Sequence, residues 1–78
     1  MSNTWHLAIG QVWEDCDPRA AEFYGVARRI EVTELLPNGA VCKIVRHGKA
    51  EQIGKSTTIR ADRFRPTKTG YKLVDPNS

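Results

Sequence analysis

The stretch "RRIEVTELLPNGAVCKIVR", residues 28–46, decides the fold. Ile30 and Val32 alternate with Glu31 and Thr33, the period-two pattern of a strand with one buried face. Pro37, Asn38 and Gly39 interrupt it with turn chemistry. Pro37 presets the dihedral of a first central turn residue, Asn38 suits the second, and Gly39 is expected to take the positive φ of a bulge. The return strand "AVCKIVR" then places Ala40, Cys42 and Ile44 on one face. A hairpin with a continuous apolar side needs more sheet to cover it.

Working outward, the rest of the chain reads as further short strands. "GQVWED" (10–15) is a first strand running into an acidic loop. "DPRAAEFYG" (17–25) is a loop that Pro18 opens and Gly25 closes, with Phe23 and Tyr24 available to pin it. A short helical turn over residues 19–24 is the alternative there. "HGKAEQIGKS" (47–56) is a polar loop, "TTIR" (57–60) restarts a strand, "ADRF" (61–64) is one tight turn, and "GYKLV" (70–74) is a last short strand. The tail "DPNS" is expected to fray. Five short strands without a convincing long helix predict an all-β fold: a small closed barrel with one helical turn before the last strand.

Size and composition agree with one domain over residues 1–78, its core spanning about 9–74. A chain this short buries only about 60% of its unfolded surface. With 40% hydrophobic and 27% charged residues it has the makeup of a globular soluble domain. It has no apolar run of the roughly 20 residues a membrane span needs, and "MSNTWHLAIG" lacks the pattern of a signal peptide. A cytosolic protein with no membrane partner is the expectation. Cys42 alternates with Ala40 and Ile44, so it reads as a small buried thiol. Cys16 lies among carboxylates in "WEDCDP", which disfavours a thiolate. Both are expected to be reduced and structural.

A five-stranded order with a long first loop, a tight central hairpin and a single helical turn between the last two strands resembles the SH3-like barrel, the small-barrel group that includes Tudor and KOW-type modules. More narrowly, "GQVWEDCDPR", "GAVCKIVR" and "TTIRADRFRPTKTGYKLV" resemble short uncharacterised proteins of actinobacteria and their phages, over about residues 9–74. For a phage protein the compartment would be the host cytoplasm. The resemblance brings no catalytic residues with it.

Elements that could carry chemistry dissolve on inspection. "GKAEQIGKST" imitates a phosphate-binding P-loop, but five residues separate Gly48 from Gly54 where that motif has four. The β-branched "TTIRADRF" follows where a helix is required. Glu14, Asp15 and Asp17 lack the spacing and distal glutamate of a calcium loop. Cys16, Cys42, His6 and His47 form no paired zinc half-site. Neither cysteine has an activating histidine nearby in sequence. Trp5, Trp13 and Tyr71 could form an aromatic groove, but core packing accounts for Trp13 and Tyr71, and Trp5 is left open. A non-enzymatic binding module without a cofactor is the expectation.

Charge is what remains. The net +3 divides unevenly: residues 1–39 carry three basic residues against six acidic, while residues 40–78 carry nine against three. In "TTIRADRFRPTK", Ile59 and Phe64 are apolar anchors with Arg60, Arg63 and Arg65 set between them. Asp62 is a candidate partner for one of these arginines. With Lys68, and with Arg28 and Arg46 from neighbouring strands, these residues predict a basic face for weak, sequence-independent nucleic-acid binding. Two other partners fit the pattern. One is a host protein, docked through Glu14–Asp17 and the segment 19–24; the other is a second copy of the chain, acidic end to basic patch.

Overall fold

In the computed structural model, residues 7–19, 22 and 25–74 are described. They form one antiparallel sheet of five strands: β1 (Val12–Asp15), β2 (Arg29–Leu36), β3 (Gly39–Arg46), β4 (Ser56–Arg60) and β5 (Tyr71–Leu73). The order across the sheet is β4-β3-β2-β1-β5, so the first strand lies between the second and the last. Two 3-10 turns complete the fold, at Ala50–Gln52 before β4 and Ala61–Arg63 between β4 and β5. The all-β expectation holds, as does the single turn before the last strand. The sheet is not closed, because β4 and β5 stand at its two ends without a ladder between them. Of the first loop, Pro18, Arg19 and Glu22 are helical. Phe23 and Tyr24, expected to pin that loop, lie outside the described residues, as does Trp5.

Strand alternation produces the core as the pattern requires. Trp13 sits opposite Ile30 and Ile30 opposite Ile44, while Val32 pairs with Cys42 and Ala40 with Ile59. Ile30, Val32, Ala40 and Cys42 are fully buried. Burial pushes the Cys42 thiol up to about 11, so it stays a protonated apolar filler. Phe64 fills the space between the sheet ends, its ring 5.1 Å from Trp13 edge-on and 6.1 Å from Tyr71. Trp13 and Tyr71 are therefore core residues. Leu7 joins them from before β1, a contribution that no periodic pattern marked.

The central hairpin departs from expectation at its tip. Among the described residues no non-glycine residue has positive φ, and the positive glycines are Gly10, Gly25 and Gly54. Gly39 is not one of them, and without positive φ at Pro37 or Asn38 the primed turn types and type II are excluded. Glycine is needed at 39 for space instead: a Cβ there would lie 2.1 Å from the Ile59 carbonyl oxygen of β4. The bulges lie inside the hairpin. Pairing steps from Arg29↔Arg46 to Ile30↔Ile44 and from Val32↔Cys42 to Glu34↔Val41. At the second step the Thr33 hydroxyl donates to the Val41 carbonyl at 3.1 Å. Bulges bend strands and raise their twist, which is how two long strands wrap this core.

Candidate anion-binding site

Two groups of cations arise on this sheet, one on its outer face and one at the seam between its ends. Paired residues across a ladder point to the same face. Glu14 on β1 is opposite Arg29 on β2 and Lys72 on β5, and Arg29 is opposite Arg46 on β3. These four make a row across the outer face. Arg29 Nε donates to Glu14 Oε1 at 2.9 Å, Lys72 Nζ lies 3.4 Å from Oε2, and Arg46 Nη1 lies 3.9 Å from Oε1. The Glu14 side chain keeps only 16% of its exposure. Its hydrogen bond from Arg29 holds its carboxyl below the usual range against the opposing effect of burial, and Lys72 adds to the lowering. One carboxylate thus gathers three cations.

The second group lies at the seam between the sheet ends. A recess of about 200 Å³ is lined by Arg28, Thr58, Ile59, Arg60, Arg63 and Tyr71. Arg28 precedes β2, Arg60 ends β4 and Arg63 ends the 3-10 turn, so three elements deliver three guanidiniums. Arg28 is held most firmly. Its Nη2 donates to the Tyr71 hydroxyl and lies 3.8 Å from Asp15 Oδ2, and its guanidinium sits 5.7 Å from the Tyr71 ring centroid. Burial pushes the Tyr71 phenol up, with Arg28 opposing, so the hydroxyl stays protonated near neutral pH.

The arginines that flank Phe64 are exposed, and their stems are anchored. Arg63 Nε donates to the Thr69 carbonyl at 2.7 Å and Arg65 Nε to the Asp62 carbonyl at 2.9 Å. Asp62 does pair with an arginine, taking Arg60 Nη2 at 3.1 Å. This local packing depends on Gly70: a Cβ there would lie 2.2 Å from the Arg65 carbonyl oxygen and 2.7 Å from that of Arg63. Lys68 is exposed on the same loop. Of the six basic residues singled out in sequence, Arg28, Arg60 and Arg63 therefore share one recess, with Arg65 and Lys68 on the segment that follows it. Arg46 belongs to the Glu14 row.

The acidic loop is occupied with its own backbone. Asp15 Oδ1 accepts the Asp17 amide and Asp17 Oδ1 accepts the Arg19 amide, both at 2.9 Å. Cys16 is a free thiol raised first by burial and then by Asp15 and Glu14, with Lys72 opposing. Among the described residues no group of histidine, cysteine or carboxylate side chains could hold a metal ion, and no helix is long and apolar enough to cross a membrane. The sequence reading missed the Glu14 hub and the Arg28–Tyr71 pair. Glu14 follows the buried Trp13 on β1 and so faces outward, but its partners follow from register, which sequence does not display. No protein-family model, curated protein or solved structure matches the chain.

Proposed function

We propose that this chain is a non-enzymatic binding module that holds nucleic acid by its phosphates, without reading sequence. The observation that carries this reading is the convergence of Arg28, Arg60 and Arg63, from three separate elements, on one recess that no carboxylate side chain lines. Guanidinium groups offer planar, paired donors that match phosphate oxygens. Arg65 and Lys68 continue the positive surface, and Arg46 adds to the long-range field only. The aromatic rings of Trp13, Phe64 and Tyr71 are all buried, so they offer no platform for stacking bases. Contacts to backbone phosphates position a nucleic acid but carry no sequence information. The strand order, with a 3-10 turn joining β4 to β5, supports placing the chain in the SH3-like small-barrel group.

Salt dependence tests this reading. Binding to a generic single strand or duplex should be weak, about micromolar or weaker at moderate salt, and log affinity should fall linearly with log salt. Arg60→Gln and Arg63→Gln should each reduce the magnitude of that slope by about one, equally for all sequences, while Arg46→Gln leaves it unchanged. A folded protein with no affinity for either nucleic acid at low salt overturns the proposal. Recognition would then pass to a host protein docked on the acidic side, released by a change at Asp15.

A further inference from the structure

The seam recess contains hydrogen-bond donors without acceptors. Arg28 Nε is buried and, among the described residues, has no hydrogen-bond partner. The Tyr71 hydroxyl accepts from Arg28 Nη2, so its own hydrogen points elsewhere. Arg63 uses Nε on the Thr69 carbonyl and Arg60 uses Nη2 on Asp62, which leaves further N–H groups on both side chains. Of these groups only Arg28 Nε is buried; the spare N–H groups of Arg60 and Arg63 are open to solvent and can turn to an acceptor in the recess. Guanidinium groups only donate, and three of them on one recess suit an oxyanion.

The number and origin of these donors discriminate among phosphates. A backbone diester presents two non-bridging oxygens and one negative charge. A terminal monoester presents three oxygens and, near neutral pH, about 1.5 to 2 negative charges. Arg28, Arg60 and Arg63 approach one small recess from separate elements; they are not laid out along a line that successive phosphates could follow. We propose that the recess seats a single terminal phosphomonoester, bound by Arg28, Arg60 and Arg63 with the Tyr71 hydroxyl as an added donor. Delivery of that group on a nucleic-acid strand rests on the phosphate-binding function proposed above. The same chemistry on free phosphate does not.

The test compares a 5′-phosphorylated oligothymidylate with the same strand ending in a 5′-hydroxyl, using fluorescence anisotropy on the full chain. The phosphorylated strand should bind about tenfold more tightly or better, the worth of one or two charge-assisted hydrogen bonds. Inorganic phosphate should compete that advantage away and shift the Arg28 Nε–Hε resonance in ¹⁵N-edited spectra. Arg63→Gln should abolish the preference. So should Arg28→Lys, with folding checked by circular dichroism, whereas Arg46→Gln preserves it. Equal affinity of the two strands, with no response to phosphate, overturns the phosphomonoester seat and leaves backbone binding standing. A phosphate-induced shift at Arg28 with neither strand binding supports the seat and overturns the nucleic-acid reading. Silence in every arm overturns both.

Discussion

On the outer face, Arg29, Arg46 and Lys72 crowd the carboxylate of Glu14. At the seam, Arg28, Arg60 and Arg63 share a recess with no carboxylate in its lining. The recess arginines have separate partners, Asp15 and Tyr71 for Arg28, Asp62 for Arg60 and the Thr69 carbonyl for Arg63, and no single carboxylate gathers them as Glu14 gathers the row. The difference comes from position in the sheet. Central strands bring opposite charges into register, where cross-strand pairs add modest stability. The two sheet ends meet across a gap that no ladder fills, and the side chains that reach into it come from separate elements. Counting basic residues treats both places alike, and the sheet separates them.

The comparison breaks most severely at Gly39. An added methyl would collide with the Ile59 backbone carbonyl, which a strand cannot move without parting β4 from β3. Gly39→Ala should cost roughly 3 kcal/mol or more by denaturant unfolding, from overpacking against rigid backbone. It should disorder the recess before it disturbs the Glu14 row. A variant as stable as the parent would show that β4 does not lie against residue 39.

Gly70→Ala sharpens the contrast at smaller cost. The clash is with carbonyls of the loop that carries Arg63 and Arg65, and a loop yields more readily than a strand. A loss of about 1–3 kcal/mol is expected. Phosphate binding should weaken while the ion pair between Glu14 and Arg29, followed by the Arg29 Nε–Hε resonance, persists. Loss of both signals together would mean that the two regions are not independent.

Glu14→Gln has the least effect on stability, about 1 kcal/mol, because its pairs are partly open to water and salt. The pH dependence identifies its origin. The folded carboxyl titrates below its ordinary value of 4.5. Its contribution is therefore full above that value and lost as pH falls through the lower folded one. The stability difference between parent and variant should be constant near neutrality and close in acid. A difference that persists in strong acid would assign the effect to packing. Phosphate affinity should not fall in this variant.

Much of this was legible in the sequence where the pattern is local. Alternation through Ile30, Val32, Cys42 and Ile44 marked the central hairpin and its inner face, and the short apolar punctuation at Ile59, Phe64 and Tyr71 marked more of the core, though not Leu7. The turn at Gly39 was placed correctly and explained wrongly, since its constraint comes from β4, about twenty residues downstream. The candidate site was legible as a composition and not as an arrangement. Arg28 meets Tyr71 across 43 positions of sequence. Arg46 was grouped with it although a single bulge and the strand alternation carry it to the outer face. Nothing in residue identity reveals which acid each arginine will meet.

The placement of β1 between β2 and β5 has a kinetic corollary. Strands β2, β3 and β4 are consecutive in the chain and neighbours in the sheet, so they can zip together as a meander at less cost in chain entropy than a long-range closure. Pairing β1 with β5 joins Trp13 to Leu73, about sixty residues apart, and belongs to the slow, non-local class of contacts. Tyr71 arrives only with that last strand, so Arg28 has no hydroxyl to hold until the sheet is otherwise complete. An anion that needs both groups recognises the finished molecule and no partly assembled form, and by mass action it would lock the terminal strand in place.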